Sequence, residues 1–376
     1  MRTPTPLNAA CVEMGGGFLS CVCVLVKDSQ MSQSTPRNTM KKIALLAALA
    51  AVSAAASAQS SVTMFGVLDA AVRNVKNGDQ SITSVGSGGL ATSRFGFRGV
   101  EDLGGGLQAG FWLESGVNVD DGTSSDTTKL FNRRSTVSLS SGLGEIRLGR
   151  DFSPTYNGYT TFEPFGSNGV ASADKFQNKL TTNADFLTRS DNQVSYFTPN
   201  GLGGFYGQLA VGAGEGIGGK KHVSGRVGYL DGPINVSVAY GEATVTPIAG
   251  EDKYKTLDVG GSYDFGMAKV MGYYTQSKFG DRKLNVYNIG GAVPVGVGVI
   301  RLGYIKADAS GAGTDGNDAS QIALGYVHNL SKRTALYATA ARVNNKGSAA
   351  YAVNASPVLA AGRDSTGYEI GMRHSF

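Results

Sequence analysis

The sequence predicts an all-β chain, a sixteen-stranded antiparallel transmembrane β-barrel. Three observations carry that expectation: strand-length stretches of two-residue alternation, separators that alternate between tight and long, and an export signal ahead of them. The alternation is plainest at the end of the chain, STGYEIGMRHSF. Tyr368, Ile370, Met372, His374 and Phe376 fall on one face of an extended strand, and Glu369, Gly371, Arg373 and Ser375 on the other, because successive strand side chains point to opposite sides. The final residue completes the apolar face, at a place where chains ordinarily fray.

The export signal begins at Met40, in MKKIALLAALAAVSAAASAQ. Lys41 and Lys42 form a positive n-region, Ile43 to Val52 an apolar core, and Ala56-Ser57-Ala58 a small-residue cleavage site. The apolar part is shorter than the roughly 20 residues of a spanning helix. The layout is therefore an upstream extension over 1–39, a signal peptide over 40–58 and the barrel over 59–376. Residues 1–39 have no role in this layout and fit an upstream start site.

Cleavage alters the composition. Cys11, Cys21 and Cys23 are all removed, which excludes disulfides, thiolate metal sites and cysteine nucleophiles from the exported chain. Five of the 34 basic residues and two of the 29 acidic ones also go, leaving 29 against 27, a net of +2. So small a balance gives no case for nucleic acid, and any charge effect must come from placement. The least polar stretch of the exported chain, IGGAVPVGVGVI, is interrupted by Pro294 and ended by Arg301.

Within it the alternation recurs. INVSVAYGE sets Ile234, Val236, Val238 and Tyr240 against Asn235, Ser237, Ala239 and Gly241. KTLDVGGSYDF, SQIALGYVHN and LQAGFWLESG repeat the pattern, each near the length of a tilted strand crossing a bilayer. Tight separators (such as Leu103–Gly106, Gly142–Gly144 and Asp231–Pro233) take turns with long polar ones. The long class includes Asn74–Thr92, Asn118–Leu130, Asp151–Ser190, Ala243–Lys253, Asp308–Asp318 and Asn344–Ser365. A soluble β-sandwich would alternate too, but it accounts for neither the signal peptide nor the loop asymmetry. Nor does it explain aromatics near strand ends, such as Tyr229, Tyr240, Tyr263 and Tyr326, which membrane barrels place at the bilayer interfaces. A closed barrel also satisfies its backbone inside lipid.

Four stretches carry a family resemblance: SSVTMFGVLDA, SRFGFRGVEDLGGGLQAGFWLESG, FNRRSTVSLSSGLGEIRLGR and the terminal GYEIGMRHSF. With them the exported chain resembles the general-diffusion porins of Gram-negative outer membranes, of the β-proteobacterial sixteen-strand kind. The resemblance implies a homotrimer among outer-membrane lipid and lipopolysaccharide, and a terminal Phe376 read by the barrel-assembly machinery. It also implies an inward-folded third external loop, with wall arginines facing acids across the constriction. No cofactor or metal is implied.

The segment Asp151 to Ser190 holds the position of that loop, and Glu163 and Asp174 are among its acids. On the wall, Arg94 and Arg98 share a face opposite Phe95 and Phe97. Arginine at the lipid midplane costs about 2–4 kcal/mol, whereas a buried phenylalanine contributes about 1.5–3 kcal/mol, so the arginines face the lumen. Glu114 shares its strand's inward parity. In FNRRSTVSL, strict parity with Val137 and Leu139 sends Arg134 inward and Arg133 outward, while the family's matching position is Arg133; both are retained. Arg189 matches a family position at the exit of the loop. Solvated loop and lumen decoration is the plainer reading of all these arginines.

GEGIGGK, Gly214 to Lys220, fits the front of a phosphate-binding loop. It is followed by Lys221 rather than Ser or Thr, and by a strand pattern rather than a helix. His222, His328 and His374 are too scattered for a metal or general-base site, so no enzyme is expected. The expected function is passive diffusion of small hydrophilic solutes and ions with a mild anion preference. The alternatives are a channel specific for a sugar or small organic acid, with Tyr156, Tyr159 and Phe162 as part of its track, and a structural or adhesive barrel.

Overall fold

A computed structural model of the chain describes residues 61–177, 180, 185–216, 220–248 and 250–376. The upstream extension, the signal peptide and the middle of the GEGIGGK stretch lie outside the described residues. From Ser61 onward the backbone follows the alternation. β1 (Ser61–Asn77) exposes Val62, Met64, Leu68 and Val72 on one face and buries Asp69, Ala71, Arg73 and Val75 on the other. A soluble protein would turn the first set inward; here the polar set is enclosed and the apolar set lines the outside.

The remaining strands are β2 (Gln80–Ser87), β3 (Arg94–Gly104), β4 (Leu107–Gly116), β5 (Arg134–Ser141), β6 (Gly144–Phe152), β7 (Arg189–Phe197), β8 (Phe205–Gly212) and β9 (His222–Asp231). They continue as β10 (Ile234–Ile248), β11 (Glu251–Asp264), β12 (Lys269–Phe279), β13 (Arg282–Val295), β14 (Gly298–Ser310), β15 (Ala319–Asn329), β16 (Thr334–Asn345) and β17 (Ser365–Ser375). Every pairing is antiparallel; from β3 onward each strand pairs with the next in sequence, and β17 returns to β1. On its other side β1 pairs first with β3 and then with β2, which are thus two segments of one wall strand. The seventeen segments make a closed sixteen-stranded antiparallel barrel.

The carboxylate of Asp69 accounts for the break between β2 and β3. It accepts the N–H groups of Gly89 at 3.1 Å, Leu90 at 2.9 Å and Ala91 at 2.8 Å, and the Tyr337 hydroxyl at 2.5 Å. Ser93 clasps the Asp69 backbone in both directions at 2.9 Å. Backbone that would have paired in the sheet is satisfied by one side chain instead.

Phe376 secures the seam. Its N–H donates to Gly66 O at 3.0 Å and its carbonyl accepts from Gly66 N at 3.1 Å. A Cβ built on Gly66 would stand 2.3 Å from the Phe376 ring, so glycine makes room for that ring.

Two of the expected long loops are mostly strand. Residues 74–87 form a hairpin around Gly78, and Ala243–Lys253 is taken up by the extended ends of β10 and β11. Polar residues beyond the bilayer still pair: Asn74 Nδ2 donates to Ser81 at 3.3 Å and to Thr83 at 2.8 Å across the hairpin. Polarity marked the end of the lipid-facing band, not the end of the strand. The β12–β13 connection at Gly280 and Asp281 is tight for the same reason.

Candidate functional site

The inner face of β3 to β7 gathers the arginines. Arg94 and Glu114 face each other across β3 and β4, with Arg94 Nε 3.6 Å from Glu114 Oε1. The same oxygen accepts from Arg133 Nε at 2.6 Å, while Trp112 Nε1 donates to the other carboxylate oxygen at 3.1 Å. Arg189 Nε donates to the Arg133 carbonyl at 2.8 Å. Arg94 and Arg133 therefore share one carboxylate, and Arg189 is tied to the group through the Arg133 backbone.

Arg134 lies beside this group and points to a different acid, with Nε 3.6 Å from Asp151 Oδ2. Both arginines of the FNRR stretch thus reach inward-facing carboxylates. Strict parity fails for Arg133 because β5 begins at Arg134, leaving Arg133 in the approach to the strand. Arg147 completes this second cluster, bonded to Asp151 at 2.5 Å and to Glu145 at 3.1 and 2.9 Å.

Aromatic faces support the guanidinium groups. Trp112 lies between Arg98 and Arg134, whose Cζ atoms sit 5.2 and 4.4 Å from its ring centre, and Phe65 packs edge-on to Trp112 at 5.0 Å. Arg189 lies 4.1 Å over Phe152, which stacks on Tyr156 at 4.7 Å. Such contacts contribute about 0.5–2 kcal/mol and hold long side chains in one geometry. Arg98 has no ion-pair partner among the described residues.

The segment between β6 and β7 opens with helix α1 (Pro154–Thr160), capped by Ser153 Oγ, which accepts from Tyr156 N at 3.1 Å. It packs on wall residues of the inner parity. Asn157 Nδ2 donates to Gln208 at 2.9 Å, the Thr275 hydroxyl to Gln177 at 3.1 Å, and Gln321 Nε2 to the Ala171 carbonyl at 2.8 Å. Glu369, paired to Arg73 at 2.8 Å, accepts from Val170 N at 3.2 Å. Phe162 lies flat on Gly260, where any Cβ would meet its ring at 2.2 Å.

Glu163 and Asp174 are drawn into this packing. Glu163 is 5% exposed and accepts from Ser167 N at 2.5 Å. Burial lifts its carboxyl to about 7. Asp174, also raised by burial, accepts from the Tyr159 hydroxyl at 3.0 Å. Lys175, lowered to about 7 by the same desolvation, donates to the Val170 carbonyl at 2.8 Å and to Gln321 at 2.7 Å. Among the described residues neither carboxylate forms an ion pair with an arginine. Of the three track aromatics, Tyr159 and Phe162 are buried and Tyr156 is partly exposed.

The sequence reading missed Arg147 and Asp151, and also Arg226, Arg301 and Arg373, which share the inner parity of β9, β14 and β17. Parity marks each of them. Arg147 alternates with Ile146 and Leu148, and Arg301 with Ile300 and Leu302.

The Gram-negative porin family model matches residues 45–348. The chain is 41% identical to outer membrane porin protein 32 of Delftia acidovorans, over 90% of this chain and 100% of that one. It is 30% identical to an outer membrane porin protein of Bordetella pertussis, over 85% of this chain and 95% of that one. Among solved structures, an anion-selective porin from Comamonas acidovorans superposes with a TM-score of 0.78 at 39% identity, covering 85% of this chain and 100% of that one. The trimer form of an outer membrane protein of Vibrio cholerae matches with a TM-score of 0.62 at 16% identity and shares the fold. With its outer face apolar and its inner face charged, the chain belongs to the family of Gram-negative porins of the outer membrane.

Proposed function

We propose that the chain forms a water-filled pore through which small hydrophilic solutes and ions diffuse passively, with anions preferred. No catalytic step, energy source or cofactor enters this reading. The observation that carries it is the convergence of Arg94 and Arg133 on the single carboxylate of Glu114, with Arg189 held beside them by the Arg133 carbonyl. Two cations sharing one anion, with a third beside them that bonds only a carbonyl, leave a positive excess on the wall, and rings of fixed charge set selectivity in a narrow aqueous passage. Low-dielectric walls strengthen that field relative to the net +2 of the exported chain.

Arg98 and Arg134 extend the positive face along the wall. The segment 153–177 narrows the lumen opposite them, with Glu163 and Asp174 seating it. Three copies associate in a bilayer whose outer leaflet is lipopolysaccharide, and Phe376 presents the chain to the barrel-assembly machinery. The relative described as anion-selective supports the sign of the preference. A channel dedicated to a single sugar loses support, because two of its three track aromatics are buried.

The test is reconstitution of the refolded protein in a planar bilayer and in liposomes. Stepwise conductance in threes, with liposome swelling that declines smoothly as solute size rises, supports the general pore. A closed bilayer, or swelling with one solute alone, overturns it.

A further inference from the structure

Arg226 differs from the other arginines of the inner wall in the company it keeps. Its Nε donates to the Ser237 hydroxyl at 3.1 Å, and Nη2 to the hydroxyls of Thr161 and Tyr206, each at 3.1 Å. The guanidinium lies 5.0 Å from the Tyr206 ring centre. All its hydrogen-bond partners are neutral, and among the described residues it has no ion-pair partner. Hydroxyls orient a guanidinium but do not neutralise it; the buried Asp258 carboxyl acts on it only through space, and a half-buried cation with no bonded counter-charge attracts anions.

Arg226 borders a recess of about 440 Å³ beneath α1, toward the end of the barrel that carries the tight turns. Tyr206 and Phe197, whose ring carries the Arg147 guanidinium 4.1 Å over one face, give it two aromatic surfaces, and Asn157, Gln208 and Ser140 give it polar edges. Glu145 also borders it, but its carboxylate is held at both oxygens by Arg147. The size suits a small ligand, and apolar walls with a few convergent polar groups are the usual form of such a site.

We propose that this recess is a binding subsite for small aromatic monocarboxylates on their way through the pore. The carboxylate meets Nη1 of Arg226, the guanidinium nitrogen left without a hydrogen bond among the described residues, and the ring lies between Phe197 and Tyr206. This inference rests on the anion-passing pore and adds a substrate class to it. One positive charge selects one carboxylate. The aromatic surfaces separate benzoate from acetate, and the charge separates it from benzyl alcohol.

The test is block of chloride current through wild-type channels by benzoate, acetate and benzyl alcohol, repeated with Arg226→Gln and Phe197→Leu. Benzoate is expected to block saturably and more tightly than the other two. Loss of one charge-assisted contact in Arg226→Gln raises its half-blocking concentration about tenfold, and Phe197→Leu weakens benzoate but not acetate. Arg226→Lys, which keeps the charge but not the planar edge, is expected to fall between and serves if the glutamine variant does not insert. Equal block by acetate and benzoate, or benzoate block unchanged in both Arg226 variants, overturns the subsite. The reversal potential of the same wild-type channels reports separately on the anion-passing pore, so its failure is told apart from failure of the subsite.

Discussion

Arg133 Nε lies 2.6 Å from Glu114 Oε1, close enough for a charge-assisted hydrogen bond, while Arg94 approaches the same oxygen at 3.6 Å. Glu114 therefore holds two arginines in place and offsets only one of their charges. The pair both positions the positive wall and limits its strength.

Removing the carboxylate or either arginine of the FNRR stretch separates those roles. Glu114→Gln is expected to raise the chloride-to-potassium permeability ratio about two- to threefold, the effect of a unit charge at about 8 Å in water. Arg133→Gln and Arg134→Gln should each lower it by a similar factor, since both side chains reach the inner face. A change with Arg134→Gln alone would restore the strict-parity reading. Reversal potentials of the three variants decide the matter.

Gly66→Val places a branched side chain where the Phe376 ring now lies. Overpacking of this kind costs about 1–3 kcal/mol, concentrated at the strand pair that closes the barrel. The folded fraction after refolding, read from heat-modifiable gel mobility, is expected to drop. Phe376→Ala in the same background should recover part of it; no recovery would show that the ring is not the obstacle.

Asp69→Asn keeps the shape of the knot between β2 and β3 but weakens three N–H contacts and the Tyr337 contact. The expected loss is about 1.5–3 kcal/mol. It should show as faster hydrogen exchange at Gly89, Leu90 and Ala91, with little change in β12 or β13. Uniform acceleration around the barrel would contradict a local role.

Glu163 makes the seating of its segment depend on pH. Burial lifts its carboxyl from 4.5 to about 7, so the seated segment keeps a proton that the released one gives up. This contribution favours seating fully below about pH 4.5 and is lost as pH rises through 7. Asp174 and Lys175 face it within the segment, and Arg301 and Tyr273 from the wall. Comparison with Glu163→Gln isolates its share. The variant should match wild type near pH 4 and resist proteolysis of residues 153–188 better at pH 8, by a stability difference on the order of 3 kcal/mol. Equal resistance at both pH values would remove Glu163 from the seat.

The barrel was legible because its physics is periodic. Each strand writes lipid and lumen onto alternate residues, and Ile146, Arg147 and Leu148 show how one charged residue between two apolar ones fixes a direction. The same rule alone does not reach Arg133, which precedes its strand and obeys no parity. The long-range contacts left no such mark. Nothing near Asp69 announces that its carboxylate will gather residues 89–91, nor does GGSYDF announce that Gly260 will carry Phe162. Glu163 and Asp174 read as constriction acids opposite the wall arginines, because their burial depends on the packing of the wall they meet.

The most direct test of the central claim is the zero-current potential of wild-type channels across a KCl gradient at neutral pH. The expected sign is that of chloride crossing more readily than potassium, with the preference declining as salt screens the wall arginines. A potential of the opposite sign would contradict the assignment of Arg94, Arg133, Arg134 and Arg189 to the conducting face.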